Sequence, residues 1–228
     1  METTGSFEQP VVAMSRLGSY GRFGNQLFQY AFLKTYALKH NFKAETSPWI
    51  GQYLFGAGDP IVSKALPVVQ QQTYKVHADH IPNAPIPYRN VDFQGYFQYH
   101  TSYYAPYKDY FRSLFQPVPA IEEQMEEVMQ RLRAKGKTIV GMHLRRGDYG
   151  TYFIPGFLYI YAAPTSWYIE WLNAHWNALN SPVLFIASDE PHKVLDDFRR
   201  FSPVTSADLG AVMPLADFYP DFYILSQC

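Results

Sequence analysis

Apolar and polar positions along the chain follow first a strand-like and then a helical rhythm. Val11-Val12-Ala13-Met14 is a short apolar run that gives way to Gly18, Gly21 and Gly24. From Asn25 onward Leu27, Phe28, Ala31, Phe32 and Tyr36 recur near helical spacing, which leaves Gln26, Lys34 and Lys39 to face water. The pattern predicts a strand, a glycine loop and a helix that ends near His40. From Ser47 to Tyr88 prolines and glycines interrupt every periodicity, so loops, short strands and one helical turn are expected. Val91 to Tyr99, with Phe93, Gly95 and Phe97 alternating, reads as a strand, and an aromatic stretch follows from Tyr103 to Phe115. After Pro117 and Pro119, the stripe Ile121, Met125, Val128, Met129 and Leu132 predicts an amphipathic helix.

The second half repeats the alternation. Thr138-Ile139-Val140-Gly141-Met142 reads as a buried strand that delivers His143 to Asp148 at its carboxyl end. Thr165 or Ser166 is placed to cap a helix running through Trp167, Ile169, Trp171 and Leu172 toward Leu179. Val183 to Ala187 reads as another strand, followed by Ser188-Asp189-Glu190 and a helical stretch from Pro191 to Phe201. Strands alternating with helices imply parallel α/β sheets with ligands at the carboxyl ends of the strands. A lobe boundary is expected near residue 116, giving an N-terminal lobe 1–115 and a C-terminal lobe 116–228.

Composition narrows the function classes. The 228 residues are 47% hydrophobic and 17% charged, which excludes a disordered chain. A net charge of −1, with no Lys or Arg block, argues against a nucleic-acid partner, so positive charge has to act locally. The single cysteine, Cys228, forbids an internal disulfide and agrees with a reducing compartment. The first ten residues carry Glu2 and Glu8 and no basic segment, so no secretory signal is visible. No apolar run is long enough to span a membrane, since Phe153 to Ala163 is short and broken by Pro155 and Gly156. These features place the chain in the cytoplasm.

Three polar clusters fall where ligands are expected. In His143-Leu144-Arg145-Arg146-Gly147-Asp148, two adjacent guanidiniums after a buried strand call for an anionic partner. Arg145 can fork onto phosphate oxygens while Asp148 holds Arg146, or the group can be an internal ion pair that ties a loop to the core. In Gly21-Arg22-Phe23-Gly24-Asn25-Gln26 the glycines permit a tight turn and close backbone approach to a ligand. Alternatively this is a plain structural turn with Asn25 as its helix cap. Asp189 can accept hydrogen bonds from a guanine or cap the next helix. Charge building on a departing diphosphate needs a cation or a metal, and no Asp-x-Asp metal motif occurs, which points to arginine without metal. The aromatic segment Asp92 to Gln98 and the tyrosines after it suit either an acceptor groove or the core. His77-Ala78-Asp79-His80 superficially offers metal ligands, but it sits in a Pro-rich region with no evident helix, which argues against a zinc site.

In order, these segments resemble the bacterial α-1,2-fucosyltransferases and their wider superfamily with α-1,6- and protein O-fucosyltransferases. Gly21 to Gln26 with Leu27-Phe28-Gln29-Tyr30-Ala31 is similar to the glycine-asparagine motif, and Gly95-Tyr96-Phe97-Gln98 to the central aromatic motif. His143 to Asp148 is similar to His-x-Arg-Arg-x-Asp, Ser188-Asp189-Glu190 to the acidic pair, and Asp221 to Cys228 to the late helix. The resemblance implies a GT-B-like α/β fold of two Rossmann-like lobes around a cleft, the N-terminal lobe on the acceptor side and the C-terminal lobe on the nucleotide-sugar side. It implies GDP-fucose as donor, an oligosaccharide or polysaccharide acceptor, inversion, no metal and no cofactor. Arg145 would contact the diphosphate and Arg146 and Asp148 would flank it. His143 and Asp189 would hold the guanosine, Asn25 would reach in from the other lobe, and Gly21 and Gly24 would admit the donor to the backbone. Such enzymes build cell-surface polysaccharide, a setting at the inner face of the membrane, and Tyr149 to Ala163 is the expected acceptor loop. The family continues past its late helix, so a C-terminal lobe cut short at Cys228 is expected, and a remnant that binds nucleotide or glycan without turnover is the alternative. Use of another sugar nucleotide is a third reading.

Overall fold

The computed structural model describes residues 9–149 and 162–228. The chain divides into two compact units, Met1–Val118 and Pro119–Cys228. The apolar run in Phe153 to Ala163 and most of the expected acceptor loop lie outside the described residues.

In the first unit, β1 (Val11–Met14) leads into α1 (Phe23–His40), followed by β2 (Lys43–Thr46), α2 (Gly51–Phe55), β3 (Val68–Gln70) and β4 (Val91–Gln94). The four strands form one parallel sheet in the order β2-β1-β4-β3. α3 (Thr101–Tyr104) and α4 (Lys108–Leu114) close the unit. Val12, Met14, Ala44, Val91 and Phe93 pack with Tyr30, Phe32, Leu33 and Tyr36 of α1 in an apolar core. The aromatic segment belongs mostly to that core: Phe97 stacks on Phe32 at 4.1 Å, and Phe97, Tyr99 and Tyr104 are buried. Removing such large rings from water stabilises more than any one stacking contact does, and that burial decides their place.

Several expectations are corrected here. α1 begins at Phe23 with Arg22 at its cap position and no side-chain cap, so Asn25 is not the helix cap. Gln26 is 8% exposed rather than solvated, and Lys34 pairs with Asp59. β2 carries no clear signal in the sequence, because its four residues include Lys43, Glu45 and Thr46. The strand expected through Tyr99 stops at Gln94. There the Gln71 side-chain oxygen accepts bonds from the Tyr96 and Phe97 amides (both 2.9 Å), and Phe97 takes a positive φ of 51°.

In the second unit α5 (Pro119–Arg133) buries Ile121, Met125, Val128, Met129 and Leu132, the stripe read from the sequence. β5 (Thr138–Leu144), α6 (Thr165–His175) and β6 (Pro182–Ser188) follow, and α7 (Tyr219–Ser226) comes last. β5 and β6 pair in parallel from Thr138↔Pro182 to Leu144↔Ser188. Met142, Leu144, Leu184 and Ile186 join Leu172 of α6 in the core. Thr165 and Ser166 do not cap α6; its cap position is Pro164, with no side-chain bond. The stretch after β6 winds into 3-10 turns at 191–193 and 195–201 rather than an α-helix. α7 packs against β5 closely enough that a Cβ on Gly141 would lie 2.6 Å from the Cys228 sulfur. No helix among the described residues is long and apolar enough to cross a membrane.

Candidate functional site

The carboxyl ends of β5 and β6 are laced together before any functional group is presented. Ser188, the last residue of β6, donates its hydroxyl to the Leu144 carbonyl at 2.7 Å and accepts from the Glu190 amide at 3.1 Å. Asp189 reaches back across the strands and accepts the Arg146 amide at 2.7 Å. Its other oxygen lies 2.7 Å from where a Cβ on residue 147 would stand, so only glycine fits there without movement. Asp189 therefore supports the arginine loop through one oxygen and crowds Gly147 with the other. It caps no helix, since the following 3-10 turn has Glu190 at its cap and no side-chain bond.

The loop itself turns tightly, with the Tyr149 amide donating to the Arg146 carbonyl at 2.9 Å. That turn folds Asp148 back over residue 145. Arg145 donates through Nε (3.0 Å) and Nη2 (2.6 Å) to one Asp148 oxygen and through Nη2 (2.9 Å) to the other. Its guanidinium also lies 4.8 Å from the centre of the Tyr149 ring. The expected pairing of Asp148 with Arg146 is thus corrected: three residues of turn bring the carboxylate to Arg145, whereas Arg146 donates to the Arg145 carbonyl at 3.2 Å. The Arg145 side chain keeps 26% of its surface exposed, so it is oriented without being sealed away. Its Nη1 edge makes no hydrogen bond to a described residue. A planar fork fixed on one edge and open on the other suits a phosphate.

A carboxylate that the apolar periodicity does not single out lies near His143 of β5. Asp221, in the first turn of α7, has a buried Oδ1 with no hydrogen-bond partner among the described residues. Burial pushes its carboxyl above the usual range, against the opposing pull of a Ser206 hydrogen bond and of His143. An orphaned buried carboxylate oxygen is costly unless a ligand supplies the donor. The available signal was an acid inside the otherwise apolar run Phe218 to Leu225.

In the first unit the glycine loop is held by neutral amides. Gln26 Nε2 donates to the Gly18 and Gly21 carbonyls (3.3 and 3.2 Å), and Gln29 Nε2 donates to Tyr20 (2.8 Å). Gly21 has φ +83°, and a Cβ there would stand 2.8 Å from both Asn25 Cβ and the Tyr96 ring. A Cβ on Gly24 would meet nothing within 4 Å, so the space over it is open. Asn25 Oδ1 accepts from Gln98 at 2.6 Å, a bond across 73 positions of sequence. The glycine-asparagine and central aromatic segments are therefore neighbours, whereas His143, Arg145, Arg146, Asp148 and Asp189 gather in the second unit.

No family model and no curated protein matches the sequence. Solved structures do match it. A crystal structure of the NodZ α-1,6-fucosyltransferase soaked with GDP-fucose superposes with a TM-score of 0.59 at 15% identity, over 97% of this chain and 86% of that one. The fold is similar to the GT-B fucosyltransferase fold. NodZ co-crystallised with GDP gives a TM-score of 0.58 at 14% identity over the same shares. The fucosyltransferase NodZ from Bradyrhizobium gives 0.59 at 13% over 97% and 87%. The α/β class with parallel sheets, read from the sequence, is the observed one.

Proposed function

We propose that the chain moves fucose from GDP-fucose to a hydroxyl of a glycan acceptor. The observation that carries this reading is the Arg145 fork, aligned by Asp148 and Tyr149 at the carboxyl end of β5, with no described residue bonded to its Nη1. In such a transfer the acceptor oxygen bonds to the anomeric carbon as that carbon's bond to the β-phosphate oxygen breaks. The acceptor proton passes to water or to the departing phosphate, and negative charge gathers on the diphosphate as the bond breaks. A cation already in position stabilises that charge without reorganising, which is where electrostatic catalysis is largest. Arg146 adds a second positive charge, so neutralisation needs no metal. The guanosine goes to His143, Asp189 and the neighbouring Asp221: Asp189 gives one oxygen to the Arg146 amide and keeps the other for a guanine N–H, and Asp221 lies within the field of His143. Within the first unit, Asn25, Gly21 and Gly24 give contact with a sugar through the glycine loop. The likeness to the NodZ structures supports a fucosyl donor, and the sequence resemblance supports inversion and an α-1,2 linkage, although NodZ itself is an α-1,6-fucosyltransferase.

The test uses Arg145→Ala with calorimetry against GDP and a transfer assay with GDP-fucose. The expected result is a folded protein whose turnover falls about 10²- to 10³-fold. Near-normal turnover overturns the reading. In the parent chain, GDP binding with neither donor hydrolysis nor transfer supports the non-catalytic alternative, and preference for UDP over GDP overturns the donor. Turnover that persists with chelator agrees with arginine neutralisation, and the anomeric coupling and position of the product's new linkage test inversion and the α-1,2 assignment.

A further inference from the structure

Parallel sheets normally carry apolar residues on both faces, because both are covered. The sheet of the first unit does not. Register places Ala13 between Glu45 and Asp92, with Gln94 and the residue after β1, Ser15, further along the same face. Glu45 and Asp92 are each 5% exposed. Across this face runs segment 61–66, from the bridge Thr46↔Ile61 toward β3. Beneath it lies a cavity of about 500 Å³ lined by Ser15, Ser63, Lys64, Leu66, Asp92 and Gln94, among others. That volume falls within the roughly 300–1,000 Å³ of small-molecule sites.

We propose that this cavity is a subsite for a pyranose ring of the acceptor glycan, a role that rests on the transferase reading. Its polar groups are already arranged. Asp92 accepts the Ser15 amide at 2.8 Å, the Ser15 hydroxyl at 2.5 Å and Gln94 Nε2 at 3.4 Å. Glu45 behind it accepts the amide and hydroxyl of Ser63 at 3.2 and 3.4 Å. With both hydroxyl protons spent on carboxylates, the serine hydroxyls are left as acceptors. The lining is therefore rich in acceptors, with Lys64 the charged donor. Sugar hydroxyls, which donate and accept, satisfy both kinds of group, while Leu66, Val62 and Val68 offer apolar surface to the C–H face of a ring. The Asp92 carboxylate on the cavity wall repels a phosphate, which disfavours a second nucleotide site.

The experiment titrates isotope-labelled full chain with the methyl glycosides of galactose, glucose and mannose, following backbone amide shifts, and measures GDP binding on the same sample. At least one glycoside is expected to move Ser15, Ser63, Lys64 and Gln94. Ala65→Trp, which fills the cavity from an exposed position, should abolish the shifts, and Lys64→Ala should weaken them by about tenfold, the worth of one charge-assisted bond. No shift with any of the three, shifts elsewhere, or shifts that survive both substitutions overturn the subsite. GDP binding with no glycoside response removes the subsite and keeps the transferase reading. Glycoside binding without GDP binding keeps a carbohydrate site and removes the acceptor role.

Discussion

The glycine loop after β1 and the arginine loop after β5 both leave the carboxyl end of a parallel strand, yet they are held by different forces. Buried neutral amides, Gln26 and Gln29, bond the carbonyls of the first loop. Carboxylates hold the second: Asp189 on the Arg146 amide and Asp148 on the Arg145 fork. Neutral bonds fix backbone position and leave the local field almost unchanged. Carboxylates fix the orientation of a guanidinium, so the arginine loop is preorganised for an anion and the glycine loop for shape.

That contrast is most open to attack at Arg145. Arg145→Lys keeps the charge but loses the fork, and turnover should still fall by about 10²-fold if orientation rather than charge alone matters. A variant at parent rate would make the loop a mere patch of positive charge. Next in size is Gly147→Ala, which sets a Cβ against Asp189 and should cost about 1–3 kcal/mol in stability. Combined with Asp189→Ala in a double-mutant cycle, the Gly147 penalty should shrink. Strict additivity by denaturant unfolding would deny the contact.

On the other loop, Gln29→Ala should remove about 1–2 kcal/mol of stability by leaving the Tyr20 carbonyl unpaired, with GDP affinity unchanged by calorimetry. A parallel loss of GDP affinity would erase the distinction between shape and charge. The smallest expected effect belongs to Asp221. Its folded carboxyl holds a proton at pH values where the unfolded chain has lost it. Its contribution to stability therefore declines as pH rises from the ordinary carboxylate range through the raised value. Asp221→Asn should flatten that part of the unfolding profile and lower GDP affinity; a steeper profile or unchanged affinity counts against the guanine assignment.

Much of this was legible in the residues. The α5 stripe, the strands flanking His143 and Asp189 and the run Val11 to Met14 appear where apolar periodicity put them, because burial area sets that periodicity. β2 was hidden, since Lys43, Glu45 and Thr46 carry no apolar signal for a strand whose polar face borders a cavity. Gln26 was read as solvated because polarity is a poor guide where a loop's carbonyls need buried donors. Asp148 was assigned to its nearer neighbour Arg146, and the tight turn at 146–149 gave it to Arg145.

By itself the sequence determined most of the segments that bury, and that two guanidiniums must stand at a strand end, because side-chain volume and periodicity are local properties of the chain. Tertiary structure alone decided which carboxylate holds which arginine, that Asp189 supports a loop, and that one Asp221 oxygen is buried with no partner among the described residues. Those outcomes depend on distances of about 3 Å between groups that are far apart in sequence, 43 positions for Asp189 and Arg146, and charge-assisted hydrogen bonds are lost over a further ångström.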